Sequence, residues 1–135
     1  MKSRDGAIRL KRFQVDEKRR QVAQIETMIA EFERMAKELD DQIMAEQERS
    51  GIHDTGHFAY PTFAKAAMQR RDNLLASADE LRGQLDAAKA DCGEVEEELE
   101  KMEAIAERDG DRGDSHAVDE EEASEPLHGA TAVAR

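Results

Sequence analysis

Two seven-residue repeats, one on each side of a single break, constrain this chain more than any other feature. In the first, Ile8, Val15, Val22, Ile29, Ala36 and Ile43 recur every seven residues. Each is followed three residues later by Lys11, Lys18, Ile25, Phe32, Leu39 or Glu46, so nine of the twelve positions are apolar. In the second, Ala64, Arg71, Ala78, Leu85, Cys92, Leu99 and Ala106 form one series. Ala67, Leu74, Leu81, Ala88, Val95 and Met102 form the other, and twelve of these thirteen are apolar. A strict repeat of seven held over five or six heptads specifies a left-handed coiled coil rather than an isolated surface helix.

The break comprises residues 50–60 and is closed by Pro61. Gly51, Gly56 and Pro61 fall within eleven residues, the densest cluster of helix breakers in the chain. A fold at the middle of the break, near residue 55, pairs positions whose numbers total 110: Ile8 with Met102, Val15 with Val95, Val22 with Ala88, Ile29 with Leu81. The other seam obeys the same rule, with Ile25 opposite Leu85 and bulky Phe32 opposite small Ala78. Charge agrees. Residues 2–20 carry a net of +5 and residues 91–103 a net of −6, and antiparallel pairing lays the two zones side by side.

The fold class expected is therefore all-α: an antiparallel two-helix coiled-coil hairpin over 1–108, with helix 1 at about 3–49, a turn at 50–60 and helix 2 at about 61–108. At ~1.5 Å per residue such arms make a rod on the order of 65 Å long. Five alanines in the second seam, and Lys11, Lys18 and Arg71 within the seams, predict thin packing and modest stability. Residues 109–135, with Gly110, Gly113 and the run Asp119-Glu120-Glu121-Glu122, are expected to form a disordered acidic tail.

Composition narrows the function classes. Five aromatics, no Trp and 39% charged residues in 135 do not supply the core of a compact α/β enzyme. No Gly-rich phosphate loop, nucleophile–base constellation or carboxylate pair in an apolar setting is visible, so no enzyme activity and no cofactor are expected. His53 and His57 with Asp54 form the one metal-like cluster, but Gly51 and Gly56 make it a polar turn, and no metal site is expected. The net charge of −12 disfavours nucleic acid as a partner. No apolar run is long enough for a bilayer span, and the single Cys92 permits no internal disulfide, consistent with a cytoplasmic protein.

Two surfaces stand out as partner-binding candidates. One is Arg9, Leu10, Lys11, Arg12, Phe13, Arg19 and Arg20, where Leu10 and Phe13 turn away from the seam among more basic residues than charge matching needs. The other is the tip, where Phe58, Tyr60 and Phe63 gather. Burial of these rings against Ile43 and Ala67 to close the turn is favoured there over a recognition role.

Three segments carry a family resemblance. Met1-Lys2-Ser3-Arg4-Asp5 with the run from Ile8 through Arg20, His57-Phe58-Ala59-Tyr60-Pro61-Thr62, and Gln69-Arg70-Arg71-Asp72-Asn73-Leu74 resemble the FliJ-type flagellar export proteins of the rhizobial branch of bacteria. The resemblance covers roughly residues 1–108 and leaves the tail without an inherited role. It implies a non-enzymatic coiled-coil stalk and chaperone escort of the flagellar type III export apparatus. The partners it implies are the hexameric export ATPase, the cytoplasmic domain of the export gate and export chaperones. It also implies a place at the basal body, peripheral to the inner membrane through those partners. A different class, a coiled-coil regulator inserting its tip into an enzyme channel, would need acidic residues at the tip, which here offers Asp54 alone. A generic structural coiled coil is the remaining alternative.

Overall fold

The computed structural model describes the backbone of residues 2–123 and the side chains of residues 3–110. It is an all-α helical hairpin of two helices, α1 (Lys2–Ser50) and α2 (Thr62–Ala123), with no strand among the described residues. The helices run unbroken for 49 and 62 residues. Their ends at the turn fall within a residue of those the repeats dictate. All twenty-five seam positions of the two repeats are buried or half-buried, including Lys11, Lys18, Glu46 and Arg71. The heptad period therefore selected the inner face without error.

α1 stops for a local reason. Gly51 takes a left-handed backbone (φ 75°), and its N–H donates to the Gln47 carbonyl at 2.8 Å, the single-bond glycine cap of a helix C-terminus. Ser50 Oγ accepts from Ile52 N–H at 3.1 Å and turns the chain out of the helix. α2 starts behind Pro61, whose carbonyl receives Lys65 N–H at 3.1 Å and whose missing donor costs nothing at a helix start.

The chain divides into two compact units, Lys18–Asp91 and Met1–Glu17 with Cys92–Arg135, and both helices contribute to each. In the turn-bearing unit, one apolar cluster joins Leu39, Ile43, Tyr60, Ala64 and Ala67, and a second joins Ile29, Ala78 and Leu81 with Ile25, Phe32 and Leu85 around it. Ile43 shares its cluster with Ala67, and Ile29, Leu81, Ile25, Leu85, Phe32 and Ala78 share the other, as the expected register requires. Inter-helix ion pairs flank these layers: Asp40 with Arg71 at 2.8 Å, Glu26 with Lys89 at 3.9 Å, and Glu33 with Arg82. In the other unit Arg4 meets Asp109 at 2.7 Å, Lys11 meets Glu98 at 2.7 Å and Arg12 meets Glu103 at 2.9 Å. In the turn-bearing unit the α2 partner number falls as the α1 number rises, and in the other unit Arg4 pairs farther along α2 than Lys11 and Arg12 do, which is antiparallel pairing.

The expected helix end near Arg108 does not hold: α2 continues to Ala123. Two isolated glycines cost about 1 kcal/mol each, too little to stop a helix already propagating where no proline intervenes before Pro126. The rest of the expected tail, 124–135, lies outside the described residues.

Candidate functional site

The seven amino-terminal candidates separate once their heptad places are set against their contacts. Lys11 occupies a seam position, and its Nζ donates to Glu98 Oε1 at 2.7 Å. That bond, reinforced by the attraction of the ammonium, holds the Glu98 carboxyl below the usual carboxylate range. Arg12 lies beside the seam and is committed to Glu103 through both Nε (3.1 Å) and Nη2 (2.9 Å). Lys11 and Arg12 thus serve the hairpin itself, as charge matching requires. Leu10 and Phe13, 58% and 56% exposed, stand on the outer surface of α1 with exposed Arg9 near them. Spacings of three and four residues put Leu10 and Arg9 each on the same helix face as Phe13. Arg19 and Arg20 are exposed but belong to the turn-bearing unit. Of the candidates in the amino-terminal unit, Arg9, Leu10 and Phe13 are therefore the exposed ones set apart from the Lys11 and Arg12 ion pairs. Ile105 of α2, also exposed in that unit, went unnoticed in the sequence because it precedes seam residue Ala106 and passes for core.

At the tip the three aromatics part company. Tyr60 is 6% exposed and packs in one cluster with Ile43 and Ala67, as expected. Its hydroxyl accepts from Gln47 Nε2 at 2.8 Å and donates to Met68 Sδ at 3.9 Å, so the buried oxygen is satisfied. Phe63 is 53% exposed and Phe58 is 95% exposed, so the burial expected of them is corrected. Phe63 falls on a non-seam position of the first turn of α2. Phe58 is turned outward by the loop: Asp54 Oδ1 accepts from Gly56 N–H and His57 Nδ1 accepts from Ala59 N–H, both at 2.9 Å. Backbone bonds from His57 N–H to Asp54 O and from Tyr60 N–H to His57 O, both 3.0 Å, complete two successive turns.

Chemistry is sparse elsewhere. Among the described residues no three His, Cys, Asp or Glu side chains converge on a possible metal position. Cys92 is buried in the seam, its thiol 3.6 Å from Glu96 Oε2. A shallow open groove over Ile29, Ala30 and Leu85 is rimmed by Glu26, Glu33 and Arg82. Glu33 pairs there with Arg82 and Glu26 with Lys89, and exposed Asp86 completes the rim. No described helix is long and apolar enough to cross a membrane. No protein-family model, curated protein or solved structure matches this chain.

Proposed function

We propose that this chain is a non-enzymatic part of the flagellar type III export apparatus, a helical stalk and chaperone escort that binds the export ATPase ring and the export gate. Support comes from the three segments of sequence resemblance and from a hairpin fold suited to a mechanical rather than a catalytic part. The observation that carries the docking face is the exposure of Leu10 and Phe13 beside Arg9, while every seam position around them is covered. Phe and Arg are enriched in the cores of protein interfaces, and Leu10 adds apolar area beside them. Arg12 and Lys11 set the arm that presents this face and do not belong to it.

The test is binding of purified export ATPase to the full chain, with swimming as the cellular readout. Phe13→Ala and Arg9→Glu should each weaken binding about tenfold or more and reduce swimming, with helix content unchanged. Normal binding and motility in both variants would remove the face from the account. Binding lost in Arg12→Glu alone would instead report the broken pair with Glu103. The tip-insertion reading gains less support, because one oxygen of Asp54, its single carboxylate, is taken by the Gly56 N–H.

A further inference from the structure

We propose that one flank of the turn-bearing unit docks a second copy of this chain, laid antiparallel about a two-fold axis. It uses neither Arg9, Leu10 nor Phe13, and it stands whether or not the flagellar reading holds. The two flanks of this unit differ in kind. Residues four places after the first seam series face one another on one flank, where Glu26 meets Lys89 at 3.9 Å and Glu33 meets Arg82. Heptad geometry puts the residues one place before that series on the opposite flank of both helices. On α1 these are Gln21, Met28, Met35 and Gln42, four successive heptads without a charge in a chain that is 39% charged. On α2 they are Arg70, Ser77, Gln84 and Asp91. All are exposed or half-buried, Met28 at 46%. Among the described residues, neither Arg70 nor Asp91 has an ion-pair partner within the chain.

The order of these residues says what covers them. In a two-fold interface, a residue that meets a second one across the axis is met by it in turn. An axis midway between Met28 and Met35, and midway between Ser77 and Gln84, pairs matching chemistry at every step. Met28 meets Met35 of the second copy, Gln21 meets Gln42, Ser77 meets Gln84, and Arg70 meets Asp91. The hairpin register brings the two midpoints to one level within a helical turn, so one axis serves both helices. A lipid surface fits less well, because two methionines among amides and paired charges lack the broad apolar face and basic rim of an interfacial segment. From Gln21 to Gln42 the flank is about 32 Å long and, two helices across, roughly 20 Å wide, or about 600 Å² per copy. Two copies bury about 1,200 Å², the lower bound of specific interfaces, so the dimer is reversible. Glu31 and Glu80 stand beside the axis and meet their own copies. Arg34 neutralises Glu31 at 2.6 Å, whereas exposed Glu80 leaves a like-charge contact.

Sedimentation equilibrium of the full chain in ~0.15 M salt should show a monomer–dimer equilibrium by about 100 μM. Arg70→Asp and Asp91→Arg should each weaken dimerisation about tenfold or more, since each sets two like-charge contacts in place of two ion pairs. Circular dichroism of both should match wild type, because neither side chain supports the hairpin. An equimolar mixture of the two variants should recover the dimer, now formed by one chain of each. Glu80→Gln should tighten the wild-type dimer about two- to threefold. Photoreactive benzoylphenylalanine at position 28 should give, on irradiation in native cells, an adduct with the mass of two copies. A wild-type chain that stays monomeric, a dimer indifferent to charge reversal, or a mixture no tighter than its components would each overturn the proposal. A position-28 adduct with a different protein alone would overturn it in favour of a foreign partner. Flotation of the chain with phosphatidylethanolamine–phosphatidylglycerol vesicles, lost in Met28→Glu, would overturn it in favour of a membrane.

Discussion

Residues 18–91 contain both apolar clusters, and the turn there is closed by a buried tyrosine with a satisfied hydroxyl. The amino-terminal unit buries Ile8, Val15 and Cys92 and, among the described residues, carries the ion pairs Arg4–Asp109, Lys11–Glu98 and Arg12–Glu103 over a much shorter stretch. Exposed ion pairs contribute about 0–1 kcal/mol each, whereas a buried aliphatic side chain contributes about 1.5–3 kcal/mol. The turn-bearing unit therefore holds most of the stability. The amino-terminal unit gives up some of it to a register fixed by charge and to an outer face left for a partner. Low local stability is common where binding surfaces reside.

The contrast fails first if core truncations cost the same everywhere. Ile43→Ala should destabilise by about 2–4 kcal/mol in urea unfolding followed by circular dichroism, because its cavity opens in the closed cluster with Tyr60. Ile8→Ala, near the open end where a helix frays, should cost about 1 kcal/mol. Equal losses would mean that stability is uniform along the hairpin. Gly51→Ala should cost about 1–2 kcal/mol, although nothing lies within 4 Å of the added Cβ, because the left-handed backbone is strained for any residue with a side chain. Lys11→Leu should narrow the contrast from the other side. It exchanges a seam ammonium and an exposed ion pair for apolar contact, adds about 1 kcal/mol, and slows hydrogen exchange at the Val15 amide.

The smallest expected effect is on pH dependence. Glu98 is held below its ordinary range chiefly by the hydrogen bond from Lys11, so the folded state binds this proton less readily than the unfolded chain. Its contribution is complete above the unfolded carboxylate range and is lost as pH falls through the lower folded value. Glu46, lowered first by its bond from Arg49, behaves the same way in the other unit. Acid titration of the unfolding midpoint should show a slightly shallower fall in Glu98→Gln than in wild type. An unchanged profile would mean that the Lys11 pair is formed equally in the unfolded chain.

The seam was legible because a period of seven leaves no freedom about which face is buried, and the register followed from a turn with Gly51 and Pro61 at its edges. Other features depended on details that no period encodes. Three aromatics close in sequence do not reveal which one the turn points inward; that is decided by Asp54 and His57 accepting backbone N–H groups. Arg12 and Arg9 look alike in a basic run, yet one step around the helix puts Arg12 against Glu103 and leaves Arg9 outside. The extension of α2 past Gly110 was hidden because isolated glycines resemble a terminus when no seam residue follows them.

Disulfide trapping tests the antiparallel register most directly, with Cys92→Ala as background. Val15→Cys with Val95→Cys probes one unit, and Val22→Cys with Ala88→Cys probes the other. An antiparallel hairpin in this register oxidises rapidly within a single chain at both pairs, and not at Val15→Cys with Met102→Cys, one heptad out of step. Disulfides that form only between two chains, or the out-of-step pair closing as readily as the matched ones, would contradict it.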